Sequence, residues 1–328
     1  MRRLLRFAAT ETALAAAIVV TCVILSLASP YFLTLPNFMN LIEAYSVATI
    51  LAAGVMVVLV SGGIDVSFTA TAAATQYLAA TLAATHGWPP VPTLLAAAAM
   101  GAALGGVNAF LTYHLRVVSI IVTIATSSIY YALLIYFTNA QEIYNLPDWW
   151  AEPVVLLRHV TASGDSVRIG LPILVMAAAI LLTHYLMAWT RIGRQVYALG
   201  GNPEAASRIG INVLGVQIFA YGYLGFLASV AGFIQAYRVH QAVPTAMAGQ
   251  ELNVLAVAIL GGASLVGGIG SMGGVVLAVL FLAILQNGLN LLGVSSYFFG
   301  VVTGLAILVS IALSGYLEKR ARRAVGAG

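Results

Sequence analysis

Charge is scarce in this sequence. Only 7% of its 328 residues are Asp, Glu, Lys or Arg, where a soluble domain carries about 25%. That excludes an ordinary solvated surface. With 61% hydrophobic residues and a mean hydropathy of +1.00, the chain reads as a polytopic membrane protein. Cysteine is almost absent. The one thiol, Cys22, lies in the first apolar run, so no disulfide within the chain, thiolate metal site or redox pair is available. Lysine is equally rare: the single Lys319 is followed by Arg320. A P-loop needs Gly-x-x-x-x-Gly-Lys and then Ser or Thr, because the lysine reaches the outer phosphates. The chain is therefore expected to hydrolyse no ATP alone. It has no His-Glu-x-x-His and no Gly-x-Ser-x-Gly, and His86, His114, His159, His184 and His240 are scattered. No catalytic residue, no metal ligand and no nucleic-acid partner is expected.

Apolar runs are what the chain has in plenty. At roughly 20 residues per span, they place about ten transmembrane helices at 12–32, 41–61, 66–85, 91–112, 117–138, 171–189, 214–237, 251–266, 272–292 and 296–315. The fold class is an all-α membrane protein, with residues 1–328 as one transmembrane domain. With both termini cytoplasmic, the inside holds Arg2, Arg3, Arg6, Arg116, Arg191, Arg194, Arg208, Lys319, Arg320, Arg322 and Arg323. The outside then holds only Arg158, Arg168 and Arg238. Lys and Arg concentrate on the cytoplasmic side, so this orientation is preferred. The first run, Ala13 to about Ala28, resembles a signal peptide behind its arginines. It is at the upper edge of the usual apolar core of about 7–15 residues, and more spans follow. It is read as a retained helix.

Residues 139–170 form the longest outside segment and are read as a periplasmic loop. Trp149 and Trp150, near a span end, are read as interface anchors. The tail Glu318-Lys-Arg-Ala-Arg-Arg323 is read as a stop-transfer anchor. Leu59-Val-Ser-Gly-Gly-Ile and Leu265-Val-Gly-Gly-Ile hint at an internal repeat.

Two polar islands stand out. The first is Tyr197-Ala-Leu-Gly-Gly-Asn-Pro-Glu-Ala-Ala-Ser-Arg-Ile-Gly-Ile-Asn212, within a cytoplasmic loop at 191–213. Asn202 is suited to cap a short helix, Pro203 to open it, Glu204 to the positive end of its dipole, and Gly210 to end it in a left-handed turn. The second is Ser61-Gly-Gly-Ile-Asp-Val-Ser67. Asp65 is ionisable at membrane depth and thus a functional candidate. It reads either as a polar point on a translocation path or as a cap on the next helix; the cap is preferred. Gly62 and Gly63 permit a broken helix that lines a cavity. Gln76, Asn108, Asn253, Gln286, Asn287 and Asn290 lie within spans, where such residues hold helices together. Asn108, Asn253 and Asn287 are the candidates for lining a path. Glu11, Glu43 and Glu251 sit near span entries, at favourable helix N-termini.

Gly200-Gly-Asn-Pro-Glu-Ala-Ala-Ser-Arg-Ile-Gly-Ile211 closely resembles the coupling loop of permeases of ribose-type, simple-sugar ABC importers. Ser61-Gly-Gly-Ile-Asp-Val-Ser67 matches the Gly-Gly-Ile-Asp-Leu-Ser pattern of the same permeases. There the family continues Val-Gly and this chain has Phe68-Thr69, so substrate recognition by that region does not carry over. Val257-Ala-Ile-Leu-Gly-Gly-Ala-Ser-Leu-Val-Gly-Gly-Ile-Gly-Ser271 is also similar to these permeases. The resemblance spans nearly the whole chain and implies a type II ABC importer-like permease in the bacterial inner membrane.

It further implies that Gly201, Asn202, Pro203, Glu204, Ala205, Ala206, Arg208, Ile209 and Gly210 dock against an ABC ATPase subunit. That partner would use ATP and Mg, with no cofactor bound by this chain. A periplasmic solute-binding protein, a second permease copy or paralogue and a sugar-like substrate complete the system. A branched-chain amino acid permease of the same superfamily is the nearest alternative. It would call for a charge pair in the path, and none is evident. An ion-coupled secondary transporter would leave the coupling loop unexplained.

Overall fold

The computed structural model describes residues 2–152, 154–160, 166–305 and 308. Six helices, in whole or in part, are long and apolar enough to cross a membrane: Thr10–Ala28, Pro90–Leu115, Ser119–Thr138, Leu171–Trp189, Val213–Val239 and Met272–Leu291. The first lies within α1 (Arg2–Ala28); the other five are named α5, α6, α8, α11 and α13 in chain order. α2 (Leu35–Ala44) and α3 (Ser46–Val60) are long and apolar enough only as a pair, bent by 46°.

Two expected spans are shorter than their apolar runs. The run at 66–85 is α4 (Phe68–Ala80) followed by a π-helical turn, Thr81–Thr85. The run at 251–266 is α12 (Glu251–Leu260), and its glycine-rich remainder is a turn. Glycine lowers helix stability and favours the left-handed turns that stop a helix. The expected span at 296–315 and the tail at 318–323 lie largely or wholly outside the described residues.

α3 is apolar all round, and all of it except Ala48 is buried. A helix of that composition belongs at the centre of a bundle. Beside it runs α11, the spine of the fold, against which α3, α4 and α5 all pack. The α5–α11 crossing needs glycine. A Cβ on Gly101 would lie 2.3 Å from the Gly225 carbonyl oxygen, and one on Gly225 would lie 1.9 Å from that of Gly101. Without side chains, the two backbones meet directly. The alanine- and glycine-rich run at 96–106 is thus a packing face. α1, α6 and α8 lie outermost and expose large apolar residues such as Leu27, Ile121 and Leu181.

The segment 139–170 departs from an all-α plan. It carries the single turn α7 (Asp148–Ala151) and an antiparallel hairpin of β1 (Val155–Val160) with β2 (Ser166–Gly170). Ile143 and Ala242 exchange two backbone hydrogen bonds, of 3.1 and 2.9 Å, which pins the segment to the connection after α11. The expected Trp150 anchor is corrected. Trp150 is fully buried, stacked on Phe233 at 4.6 Å, with its indole N–H donating to the Phe233 carbonyl at 3.3 Å. Burying the ring and satisfying its N–H inside the protein outcompetes the interface.

Candidate functional site

The loop at 191–213 is two helices. In α9 (Arg191–Gly201), Gly193, Val196, Leu199 and Gly200 are buried, while Arg191 and Arg194 point outward. The apolar spacing 192, 196, 199 with arginines opposite is a helical signal, overlooked beside the stronger capping signal downstream. The Thr190 hydroxyl caps α9 by accepting the Gly193 N–H at 3.2 Å.

Asn202 ends α9 and opens α10 (Pro203–Arg208), its Oδ1 accepting the Ala205 N–H at 3.0 Å. Pro203 takes the first turn, where its missing N–H costs nothing. Glu204 sits at the positive end of the dipole and Arg208 at the negative end. They face each other at 4.0 Å, both above 80% exposed, so their pairing adds little stability. Gly210, at φ +85°, closes the helix, and Ile211 N–H reaches back to the Ala206 carbonyl at 3.1 Å. Asn212 then caps α11 through the Gly215 N–H at 3.0 Å. Within 201–210 only Ala206 is buried, and Ile209 is 76% exposed. An exposed isoleucine on a rigid, doubly capped turn is suited to a protein contact.

The C-terminal end of α9 reaches into the bundle. A Cβ on Gly200 would stand 1.9 Å from the Val60 carbonyl oxygen and 2.6 Å from the Gly268 nitrogen. One on Gly267 would stand 2.7 Å from the Gly62 Cα. The Gly268 N–H donates to that same Val60 carbonyl at 2.8 Å, and the Tyr197 hydroxyl donates to the Gly270 carbonyl at 2.6 Å. So α9, the break after α3 and the break after α12 meet at one point.

Beyond that point the chain from 61 to 67 is non-helical and mostly buried, with Gly62 exposed and Ile64 half-buried. Two of its backbone N–H groups are satisfied by α6. The Ser119 hydroxyl accepts the Ile64 N–H at 2.8 Å, and Thr123 accepts the Val66 N–H at 3.3 Å. Irregular backbone at membrane depth requires such partners. Asp65 is 3% exposed. Its Oδ1 accepts from the Ser67 N–H and hydroxyl, both at 2.7 Å, and its Oδ2 accepts from Asn108 at 3.3 Å. Asn108 also donates to the Ser67 hydroxyl at 2.6 Å. Ser67 opens α4, and Asp65 braces it from the preceding turn; it does not cap the helix's own N–H groups, the role expected from the sequence. The arrangement brings Asp65 and Asn108 together with Gly62 and Gly63 close by.

Asn253 and Asn287 lie elsewhere. Asn253 is exposed on α12. Asn287 of α13 forms a reciprocal amide pair with Asn37 of α2, at 3.0 and 2.9 Å. Glu251, at the start of α12, accepts the Thr69 hydroxyl at 2.5 Å and joins the entries of α12 and α4. Ser67, Ser119, Thr123 and Asn37 were missed in the sequence. Ser119, Thr123 and Thr126 do recur along one face of α6 at helical spacing, which was the available signal.

Comparison with known proteins gives a consistent result. The profile of the family described as "Branched-chain amino acid transport system / permease component" matches residues 37–311. The ribose import permease protein RbsC of Escherichia coli K12 is 36% identical over 303 residues, covering 90% of each chain. RbsC of Bacillus subtilis 168 is 34% identical, covering 89% of this chain and 88% of its own. The D-allose transport system permease protein AlsC of Escherichia coli K12 is 30% identical, with 90% and 88% covered. No solved structure matches the fold.

Proposed function

The chain belongs to the family of branched-chain amino acid transport system permease components, and we infer from this that it is the membrane-spanning subunit of an ABC importer for a monosaccharide, polyol or similar small hydroxylated solute. The observation that carries the reading is α10, exposed on nearly every residue and rigidly joined through α9 to the centre of the bundle. An ABC ATPase subunit docks on Gly201 to Gly210, hydrolysing ATP with Mg on its own residues. Movement of α10 tilts α9, and the glycine junction passes the tilt to the breaks after α3 and α12. Energy thus enters as displacement. A rigid element with two arrangements is what such coupling needs.

The remaining parts follow from the same reading. The chain crosses the bacterial inner membrane about ten times with both termini cytoplasmic. Two copies, or this chain and a paralogue, enclose the path, and a periplasmic solute-binding protein delivers the substrate. Gly62, Gly63, Asp65 and Asn108 form a wall that pivots beside the path; Asn253 and Asn287 lie nearer open space. The relatives named above are ribose and D-allose permeases, which supports a sugar-like solute over a branched-chain amino acid. A secondary transporter would make no use of α10.

Co-purification from native membranes in mild detergent tests the reading. A P-loop ATPase bound to the native chain and lost on Glu204→Arg supports it. A chain recovered alone and active in uptake without ATP overturns it.

A further inference from the structure

At the end of α3 far from the glycine junction, α2 and α13 enclose an open cleft of about 370 Å³. This is within the usual range for small-molecule sites, about 300–1,000 Å³. Asn40, Tyr45, Gln286, Asn287, Asn290 and Phe299 line it, and no charged side chain does. Three of the five polar side chains are already hydrogen-bonded. The Tyr45 hydroxyl donates to Gln286 at 2.5 Å, Gln286 donates to the Thr303 hydroxyl at 3.0 Å, and Asn287 is paired with Asn37. The other two are free among the described residues. Asn40 and Asn290 are exposed into the cleft, and neither carboxamide has a hydrogen-bond partner among the described residues.

Unpaired carboxamides are strongly disfavoured against acyl chains. They face water or a polar occupant. We propose that this cleft is a binding subsite for a neutral polyhydroxylated solute, with Asn40 and Asn290 as its specificity-determining residues. Each carboxamide offers both donors and an acceptor, and each sugar hydroxyl is both donor and acceptor. The Tyr45 and Phe299 rings supply an apolar wall for the C–H face of a sugar ring. A zwitterionic amino acid would meet no counter-charge here. α3, of 15 residues, spans about 22 Å, so the cleft lies on the side of the bundle opposite α10, where solute is delivered. The proposal rests on the importer reading.

The test uses the whole importer in proteoliposomes, with its ATPase and binding protein, and a labelled panel of neutral aldoses and polyols including D-ribose and D-allose. Absence of any ATP-dependent uptake by the native complex overturns the importer reading, and this inference with it. If one sugar is carried, Asn40→Leu and Asn290→Leu should each cut its uptake at least tenfold, with the assembled complex recovered in native amount. Uptake unchanged in both variants overturns the subsite and leaves the importer intact. In a Cys22→Ser background, Asn290→Cys should react with a membrane-impermeant thiol reagent and be protected by the carried sugar. No reaction, or a disulfide between two copies at this position, means lipid or a second copy covers the cleft and also overturns the proposal.

Discussion

Replacing Gly200 with alanine tests the transmission. The added methyl would sit 1.9 Å from the Val60 carbonyl oxygen and 2.6 Å from the Gly268 nitrogen. Both are backbone atoms, so no side chain can swing aside. Restoring van der Waals contact requires α9 and the break after α3 to part by roughly 1.5 Å. Overpacking of this kind costs about 1–3 kcal/mol. The movement also strains the 2.8 Å bond from Gly268 to Val60, and losing a buried bond costs about 1–3 kcal/mol. Alanine's better helix propensity returns only about 1 kcal/mol. The net loss is about 1–5 kcal/mol, concentrated where α9 meets both breaks.

Since about 1.4 kcal/mol is a factor of ten, the ratio of solute carried to ATP hydrolysed should fall at least about fivefold, with the ATPase still bound. The assay measures both rates in reconstituted importer. Gly106→Ala is the control, since a Cβ there meets nothing within 4 Å. A Gly200→Ala importer with native coupling and native thermal stability would refute the argument that the junction is both tight and essential.

Four further outcomes are expected. Asn202→Ala removes the cap on α10 and should cost about 1 kcal/mol, seen as weaker ATPase retention with native membrane insertion. Asp65→Asn keeps an acceptor for Ser67 and should sustain uptake; loss of uptake with native yield would show that the ionisable carboxyl itself is required. Asp65→Leu leaves the Ser67 N–H, the Ser67 hydroxyl and Asn108 without that acceptor, at about 1–3 kcal/mol for each group left unpaired, and should lower folded yield. Trp150→Ala should destabilise by about 3–5 kcal/mol, read as an earlier loss of complex on heating in detergent.

Capping residues were legible because they act through backbone groups one turn away. Asn202, Pro203, Glu204 and Gly210 hold the positions that local rules assign, whereas the residue that opens α4 is Ser67, with Asp65 accepting its N–H and hydroxyl. Apolar runs were legible as membrane segments, but their breaks were not. Leu260 ends α12 inside the run 251–266, and the bend between α2 and α3 at Tyr45 falls inside the run 41–61. Gly262, at φ +91°, turns the chain after α12, and Ser119 and Thr123 hold the chain after α3 by long-range hydrogen bonds that no window along the chain can see. Trp150 failed for a related reason: position near a span end suggests an interface, whereas its neighbour Phe233 is remote in sequence.

The glycine similarity noted between 62–64 and 267–269 has a different meaning from the one first read into it. The two helix breaks are alike, but in another register. Gly62 N–H bonds the Leu59 carbonyl at 2.9 Å and Gly63 N–H bonds that of Val58 at 3.1 Å; Gly262 N–H bonds Ile259 at 2.9 Å and Ala263 N–H bonds Ala258 at 3.1 Å. Gly62 and Gly262 share a left-handed φ, +89° and +91°. Gly62 is thus the structural counterpart of Gly262. Gly267 and Gly268 are left-handed too, at φ +93° and +71°, and in addition they meet Gly62, Gly200 and Gly201 across the junction. Left-handed turns impose glycine on both segments, and close backbone contact imposes it again at the junction. A displacement of α9 therefore reaches both breaks through contacts that have no side chain to absorb it.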